Sequence, residues 1–184
     1  KLVLRNAEGF PRSVAWWGPN DLADAPTRLA QHLSSNIPFT TLRHVRMSNV
    51  PGKFKCLLRV CTIWPDVNNF CHRAPPDAGP PREADASPEE RWSYLVRLTV
   101  EDATCSCVKV YLYAEDGEMF FAEVPPQNVG ACSAIGSVLQ KKMDRLTGRQ
   151  EIQNGEVPWV PMCLKTYHDL DGNMQIRIFD TVML

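Results

Sequence analysis

Basic and aromatic side chains share the outward phase of several alternating stretches in this sequence, and that combination could bind a single-stranded nucleic acid. Cations contact phosphates and flat rings stack on bases, so a sheet face that carries both suits such a strand. The residues that we predict for this surface are Lys55, Arg59, Arg97, Lys109, Tyr111, Lys165 and Arg177. A second interpretation is that outward strand positions are polar in most proteins, and that a protein partner covers these ones.

Acidic and metal-binding residues give weaker indications of a site. The pairs Glu101-Asp102 and Glu115-Asp116 fall beside turns, where we expect solvated charges rather than a two-carboxylate site. Cys71-His72 is the best candidate for zinc, which takes about four nitrogen or sulfur ligands. The other ligands would have to come from distant cysteines such as Cys105 and Cys107. We therefore predict no metal site and no cofactor.

Common catalytic motifs are absent from the sequence. It has no glycine-rich phosphate loop, no Gly-x-Ser-x-Gly and no His-Glu-x-x-His. The histidines are far apart, and the cysteines are scattered without a Cys-x-x-Cys pair. We predict that the protein is not an enzyme and that its cysteines are reduced thiols.

The charge balance excludes binding through bulk positive charge. The chain has 184 residues, with 20 Lys and Arg against 21 Asp and Glu, which gives a formal net charge of -1. Hydrophobic residues make up 44% and charged residues 22%, the balance of a soluble globular protein. No apolar run approaches the roughly 20 residues that cross a bilayer, so we expect no membrane contact. The sequence begins at Lys1 without a signal-peptide pattern, and we interpret it as a fragment of a longer protein.

Five stretches alternate apolar and polar residues with a period of two, which predicts five half-buried strands. They span residues 54–63, 94–101, 108–113, 162–167 and 174–179. Between the third and fourth, apolar residues recur at helical spacing from Ile135 to Leu146, and Gly148 stands where a helix would end. One helix between strands three and four of a five-stranded unit is typical of the OB-fold. We predict an all-β protein for the most part, built as a five-stranded OB-fold barrel.

Residues 1–36 lack this pattern, and we predict an N-terminal arm that contains one short helix. Asp24 could cap the helix and Pro26 suits its first turn, which places Leu29 and Leu33 on one side. The apolar residues of the arm could contact a partner, and aromatic anchors would dominate the affinity. The residues predicted for this contact are Trp16, Trp17, Leu29 and Leu33. The tryptophan pair could instead pack the arm onto the core or stack on bases.

The remaining residues, 37–184, form the predicted OB-fold domain. Residues 74–91 separate its first two strands and are rich in proline with almost no large apolar group. Because the strand pattern resumes on both sides, we interpret this segment as a solvated insertion in the first hairpin loop rather than a domain boundary.

Several motifs together resemble a known family. They are Lys53-Phe-Lys-Cys-Leu-Leu-Arg-Val60, Tyr94-Leu-Val-Arg-Leu-Thr-Val-Glu-Asp102, Val110-Tyr-Leu-Tyr-Ala-Glu-Asp-Gly117, Cys163-Leu-Lys-Thr-Tyr167 and Ile176-Arg-Ile-Phe-Asp-Thr181. Over residues 37–184 the sequence is similar to the C-terminal region of the protection-of-telomeres proteins, which bind telomeric single-strand ends. It is most similar to plant-type members. The last two motifs are the most specific part of the resemblance.

The resemblance implies that the C-terminal OB-fold is mainly a protein-interaction module, while two N-terminal OB-folds of the full-length protein bind telomeric single-stranded DNA. Animal members dock a bridging partner of the telomere-capping complex, and plant members are linked to telomerase and a trimeric capping complex. The implied location is the nucleus, at telomeric chromosome ends. Animal members also have a cysteine zinc site near this barrel, but Cys71 and His72 lack the close cysteine pair of that site.

Two functions are therefore expected from the sequence. The first is a non-catalytic module that docks telomere-capping subunits or telomerase and so supports chromosome-end capping and telomerase regulation. The second is direct binding of single-stranded telomeric DNA, or RNA, by the basic and aromatic face of the barrel.

Overall fold

The structure is a computed structural model that describes residues 25–30, 38–73, 91–149 and 157–184. The strands of this part of the chain are β1 Thr27–Leu29, β2 Phe39–Thr40, β3 Lys53–Trp64, β4 Cys71–Arg73, β5 Trp92–Asp102, β6 Cys105–Tyr113, β7 Val160–His168, β8 Met174–Phe179 and β9 Thr181–Met183. Its α-helices are α1 Leu42–Met47, α2 Ala114–Phe120 and α3 Ser133–Leu146.

Five strands close into a barrel, because the two ends of one sheet meet. β3 pairs with β7, β7 with β8, β8 with β6 and β6 with β5, and β5 pairs again with β3. The β6–β8 pair is parallel and the other four are antiparallel. This strand order, with α3 between the third and fourth barrel strands, is that of an OB-fold and confirms the predicted fold class.

The barrel interior is filled by the apolar phase of each strand. Leu58 and Val60 of β3 and Leu98 of β5 are fully buried, as their alternation with polar residues predicts. The register of β3 with β5 shifts between Val60 and Thr62, as in a β-bulge. The shift reverses the alternation, so that Trp64 points outward although even-numbered residues earlier in β3 point inward.

Helix α3 lies where the helical spacing predicts it. Leu139, Met143 and Leu146 lie on one face and are buried in the core. The residue after the helix cap, Gly148, has a φ of 72°, and its N–H donates to the carbonyl of Arg145. That left-handed conformation favours glycine and ends the helix.

The predicted arm helix is wrong for residues 27–29, which form strand β1. Thr27 lies opposite Met183 and Leu29 opposite Thr181, both on β9. The Thr27 hydroxyl donates to the carbonyl of Pro161 at 2.8 Å. The backbone of β1 is thus satisfied by the far end of the sequence, and local helix-start signals cannot compete with that pairing.

Other predictions about this region remain untested. Asp24, Leu33 and residues 74–90 of the proline-rich insertion lie outside the described residues. The boundaries of the arm (1–36) and the OB-fold domain (37–184) therefore stay a prediction.

Candidate interaction surface on the outside of the barrel

Outward side chains from all five barrel strands line up in one row. Tyr111 of β6 lies opposite both Arg97 of β5 and Arg177 of β8, and Lys165 of β7 lies opposite both Arg177 and Lys53 of β3. Trp64 completes the row, because it pairs with Arg97 where β3 meets β5. Residues directly opposite each other share a face of the sheet. We call these six residues (Trp64, Arg97, Tyr111, Arg177, Lys165 and Lys53) the outer row.

On β7 and β8 the cations of the outer row are paired within the molecule. Asp116 of α2 lies between them: its Oδ2 is 2.8 Å from Lys165 Nζ and also forms an ion pair with Arg177 Nε. The Asp116 side chain is only 13% exposed, so water screens this contact weakly. An anionic ligand at this position would have to displace the carboxylate.

Tyr113 contacts Arg177 through both its ring and its carbonyl, and it is in turn hydrogen-bonded to Tyr167. The guanidinium carbon of Arg177 lies 3.5 Å from the centroid of the Tyr113 ring, and its Nη2 donates to the Tyr113 carbonyl at 2.7 Å. The hydroxyls of Tyr113 and Tyr167 form a hydrogen bond at 3.3 Å. Burial, together with this hydrogen bond, raises the pKa of Tyr167 to about 12. We call Asp116, Lys165, Arg177, Tyr113 and Tyr167 the paired half of the face.

On β5 and β6 the same kinds of residue are arranged differently. The Arg97 guanidinium lies 4.9 Å from the Trp64 ring centroid, and neither Arg97 nor Lys109 forms an ion pair within the described ranges. Trp64 is 56% exposed and Leu95 is 43% exposed. We call Trp64, Leu95, Arg97, Lys109 and Tyr111 the β5–β6 patch.

The remaining residues predicted to bind nucleic acid, Lys55 and Arg59, lie on β3 and contact aromatic rings outside the outer row. Lys55 Nζ lies 4.6 Å from the centroid of Phe39, and the Arg59 guanidinium lies 5.6 Å from that of Trp159. The seven predicted residues thus all lie on the outside of the barrel, but they do not form a single cluster.

The position of Asp116 depends on how α2 leaves β6. Ala114 has a φ of 49°, a left-handed conformation that turns the chain sharply into the helix. One turn later Gly117 packs against Tyr94, where an added Cβ would be 2.5 Å from the Tyr94 Cβ. Tyr94 is fully buried and its hydroxyl donates to the Val124 carbonyl at 2.9 Å. This packing fixes α2 against the barrel.

One member of each acidic pair differs from the solvated turn charge that the sequence predicts, while Glu115 is exposed as expected. Asp102 is 7% exposed and accepts hydrogen bonds at 2.7 to 2.9 Å from the N–H groups of Leu42, Thr104 and Cys105 and from the Thr104 hydroxyl. It therefore ties α1 to the β5–β6 turn. Asp102 and Asp116 are structural anions, and the expectation of solvated turn charges was wrong for both.

Within the described residues no cluster of three or more His, Cys, Asp or Glu side chains could hold a metal. Cys71 and His72 follow each other on β4, where neighbouring side chains point to opposite faces. Cys71 is buried, which raises the pKa of its thiol to about 11, while His72 is exposed.

Of the arm residues predicted to contact a partner, only one lies within the described part of the chain. Leu29 lies half-buried on β1, and Trp16, Trp17 and Leu33 fall outside the described residues. None of the helices in the described part of the chain is long and apolar enough to cross a membrane.

A family model for the POT1A-like OB fold domain matches residues 25–173. The chain belongs to this family. The match includes β1 and four of the five barrel strands (β3, β5, β6 and β7) and ends just before β8. The POT1 family is a non-catalytic, telomere-binding one. The sequence has no significant match among curated proteins.

A solved structure shares the POT1A-like fold seen here. The barrel is similar to a chain in the crystal structure of fission yeast Pot1 and Tpz1, with a TM-score of 0.67 and 16% sequence identity. The similarity covers 87% of this chain and 98% of that one. At this identity the likeness supports the fold and not the details of any surface.

Two features of the surface were missed by reasoning from the sequence. The outward position of Trp64 depends on the bulge in β3, which reverses the alternation. The pairing of Asp116 with Lys165 and Arg177 joins residues far apart in sequence, and no local pattern signals it.

Proposed function

We propose that this POT1-family domain is a protein-interaction module that docks subunits of a telomere-capping complex or telomerase. In this role it supports chromosome-end capping and telomerase regulation in the nucleus, without catalysis. The telomeric setting is supported by the family match over residues 25–173. Protein docking in particular is supported by the ion pairs of Asp116, because they neutralise two of the cations that a nucleic acid would need.

The similar yeast structure points in the same direction. It is a structure of two proteins, Pot1 and Tpz1, so a fold of this kind is found together with a partner protein. The arm residues Trp16, Trp17, Leu29 and Leu33 stay candidate contacts for such a partner. Apolar and aromatic residues of this kind commonly dominate the affinity of protein interfaces.

Co-purification tests this function directly. The 184-residue chain, shown by cooperative unfolding to be folded, is used to capture recombinant capping-complex subunits and telomerase. We expect at least one of them to be retained. If a folded chain retains neither, the proposal is rejected.

Direct binding of single-stranded telomeric DNA is the second candidate function, and it is favoured by the alternation of rings and cations along the outer row. If this face contacts phosphates, the affinity falls steeply with salt. Changing Arg97→Ala together with Lys109→Ala should then weaken oligonucleotide binding and reduce the slope of log Kd against log salt by roughly 1.4, since each contact to a single strand contributes about 0.7.

A matched control for this double variant is Arg43→Ala together with Lys141→Ala. Both side chains are exposed, and they lie on α1 and α3 rather than on the barrel strands that form the outer row. Equal affinities of the two double variants would reject direct binding by this face.

A further inference from the structure

The β5–β6 patch carries positive charge that the described part of the chain does not neutralise. Arg97 and Lys109 form no ion pair there. They are on adjacent strands, since Arg97 lies opposite Tyr111 and Lys109 opposite Thr99. Glu101, the next outward carboxylate along β5, lies in register with Arg59 on β3. Two neighbouring cations are therefore available to an anionic partner.

The patch also exposes large apolar groups beside these cations. Trp64 is 56% exposed with one ring face against Arg97, and Leu95 is 43% exposed on the same strand as Arg97. Trp, Tyr and Arg are the residue types most enriched where side chains dominate the affinity of protein interfaces. A partner that fits this patch must supply both a negative charge and an apolar side chain.

The rest of the outer row limits how long an anionic ligand can be. Next to Tyr111, the cations Arg177 and Lys165 are already held by Asp116. A nucleic acid strand gains affinity from a track of cations along several phosphates, whereas the patch offers two cations and then ends. One or two carboxylates flanked by apolar residues match that short span.

We infer that the β5–β6 patch docks an acidic segment of a partner protein, with carboxylates on Arg97 and Lys109 and an apolar side chain against Trp64 and Leu95. This inference rests on the protein-docking function proposed above and gives the chemistry of one docking surface. Of the two interpretations that the sequence leaves open for Arg97 and Lys109, a nucleic acid or a protein partner, it favours the protein.

Three probes test this inference by fluorescence anisotropy with the whole chain. They are a short synthetic peptide that alternates Asp or Glu with Leu or Phe, the same peptide with Asn and Gln in place of the acids, and a poly-dT oligonucleotide of similar length. We expect the acidic peptide to bind more tightly than the amide version and than the oligonucleotide.

Charge reversal identifies the surface. Arg97→Glu together with Lys109→Glu should weaken binding of the acidic peptide roughly tenfold or more, the size expected for side chains that dominate an interface. A peptide with Lys in place of the acids should bind this variant better than it binds the unaltered chain. Arg43→Glu together with Lys141→Glu makes the same change in net charge at exposed positions elsewhere and should leave both affinities unchanged.

Each contrary result has a distinct meaning. The inference is overturned if the two reversed variants bind the acidic peptide equally, or if the oligonucleotide binds through Arg97 and Lys109 while the peptide does not. Captured capping subunits that bind the reversed chain and the unaltered chain alike would leave the protein-docking function standing and overturn the patch. If the unaltered chain captures no subunit, the proposed function fails, and the peptide data decide separately whether the patch takes acidic segments.

Discussion

The paired half and the β5–β6 patch are built from the same kinds of residue on one barrel, yet they present different chemistry. Each has arginine against an aromatic ring: Arg177 lies against Tyr113 and Arg97 against Trp64. Among the described residues, only the first arginine also forms an ion pair with a carboxylate, that of Asp116. A single acidic residue from α2 therefore decides which cations of the outer face are available for binding.

This difference also separates stability from recognition. A charge that is largely removed from water costs free energy unless it is paired, so Asp116 contributes to folding by compensating Lys165 and Arg177. Arg97 has no such partner in the described residues, and its cation–π contact is worth only about 1 kcal/mol. We expect changes in the paired half to act mainly on stability and changes in the patch to act mainly on binding.

The largest effect is expected where α2 is fixed to the barrel. Gly117→Val would place a Cβ 2.5 Å from that of the buried Tyr94, and overpacking of this kind should lower the free energy of unfolding by about 3 kcal/mol. Gly130→Val is the control, because its Cβ would meet nothing closer than 3.5 Å, and it should cost no more than about 1 kcal/mol. Urea denaturation measures both; equal losses would show that the close approach to Tyr94 does not fix α2.

A smaller effect is expected from the carboxylate itself. Asp116→Asn leaves Lys165 and Arg177 without their anion and should lower the free energy of unfolding by about 2 kcal/mol, less than for a fully buried pair because Lys165 is 32% exposed. The same change should increase the affinity for poly-dT, because it makes the paired half resemble the patch.

The neighbouring Glu115→Gln is the control for Asp116→Asn. It makes the same change in charge one residue away, at an exposed position, and should alter neither the free energy of unfolding nor the affinity measurably. If the two variants behave alike, the contrast between the paired half and the patch does not depend on Asp116.

The smallest effect is expected from alkaline pH. Since the pKa of Tyr167 is raised to about 12 from its ordinary value near 10, the folded protein keeps that proton while the unfolded chain loses it. The associated stability is fully present below pH 10 and is lost as the pH rises through 12. Between pH 10 and 12, the free energy of unfolding should decline less steeply with pH in Tyr167→Phe than in the unaltered chain. Identical slopes would mean that the folded protein does not hold the Tyr167 proton more tightly than the unfolded chain does.

The sequence predicted the elements whose pattern is long enough to be read locally. The strand expected at residues 54–63 is Lys53–Trp64, and the helical spacing that ends at Leu146 belongs to Ser133–Leu146. Apolar residues recur with a period of two in the strand and 3.6 in the helix, because one side of each segment faces a continuous core. The closed barrel follows from their order, and that prediction is confirmed.

Short elements that depend on distant partners could not be predicted in the same way. Strand β1 has three residues and gains its hydrogen bonds from β9, more than 150 positions later. Helix α2 begins at a left-handed Ala114 and contains Gly117, both of which are unfavourable helix signals. The alternation of apolar and polar residues along each strand predicted that the basic side chains point outward. Which of them are neutralised depends on where α2 packs, and the alternation does not show that.

The pairing of β3 with β5 gives the patch a mechanical significance. Trp64 and Arg97 lie opposite each other on β3 and β5, the two strands whose pairing closes the barrel. A ligand that binds both side chains would therefore hold these two strands together. Transient separation of β3 from β5 would become rarer, and the amide hydrogens of residues 62–64 and 97–99 would exchange with solvent more slowly. Binding of a partner to the outside of this domain would thereby stabilise the strand pairing that closes its barrel.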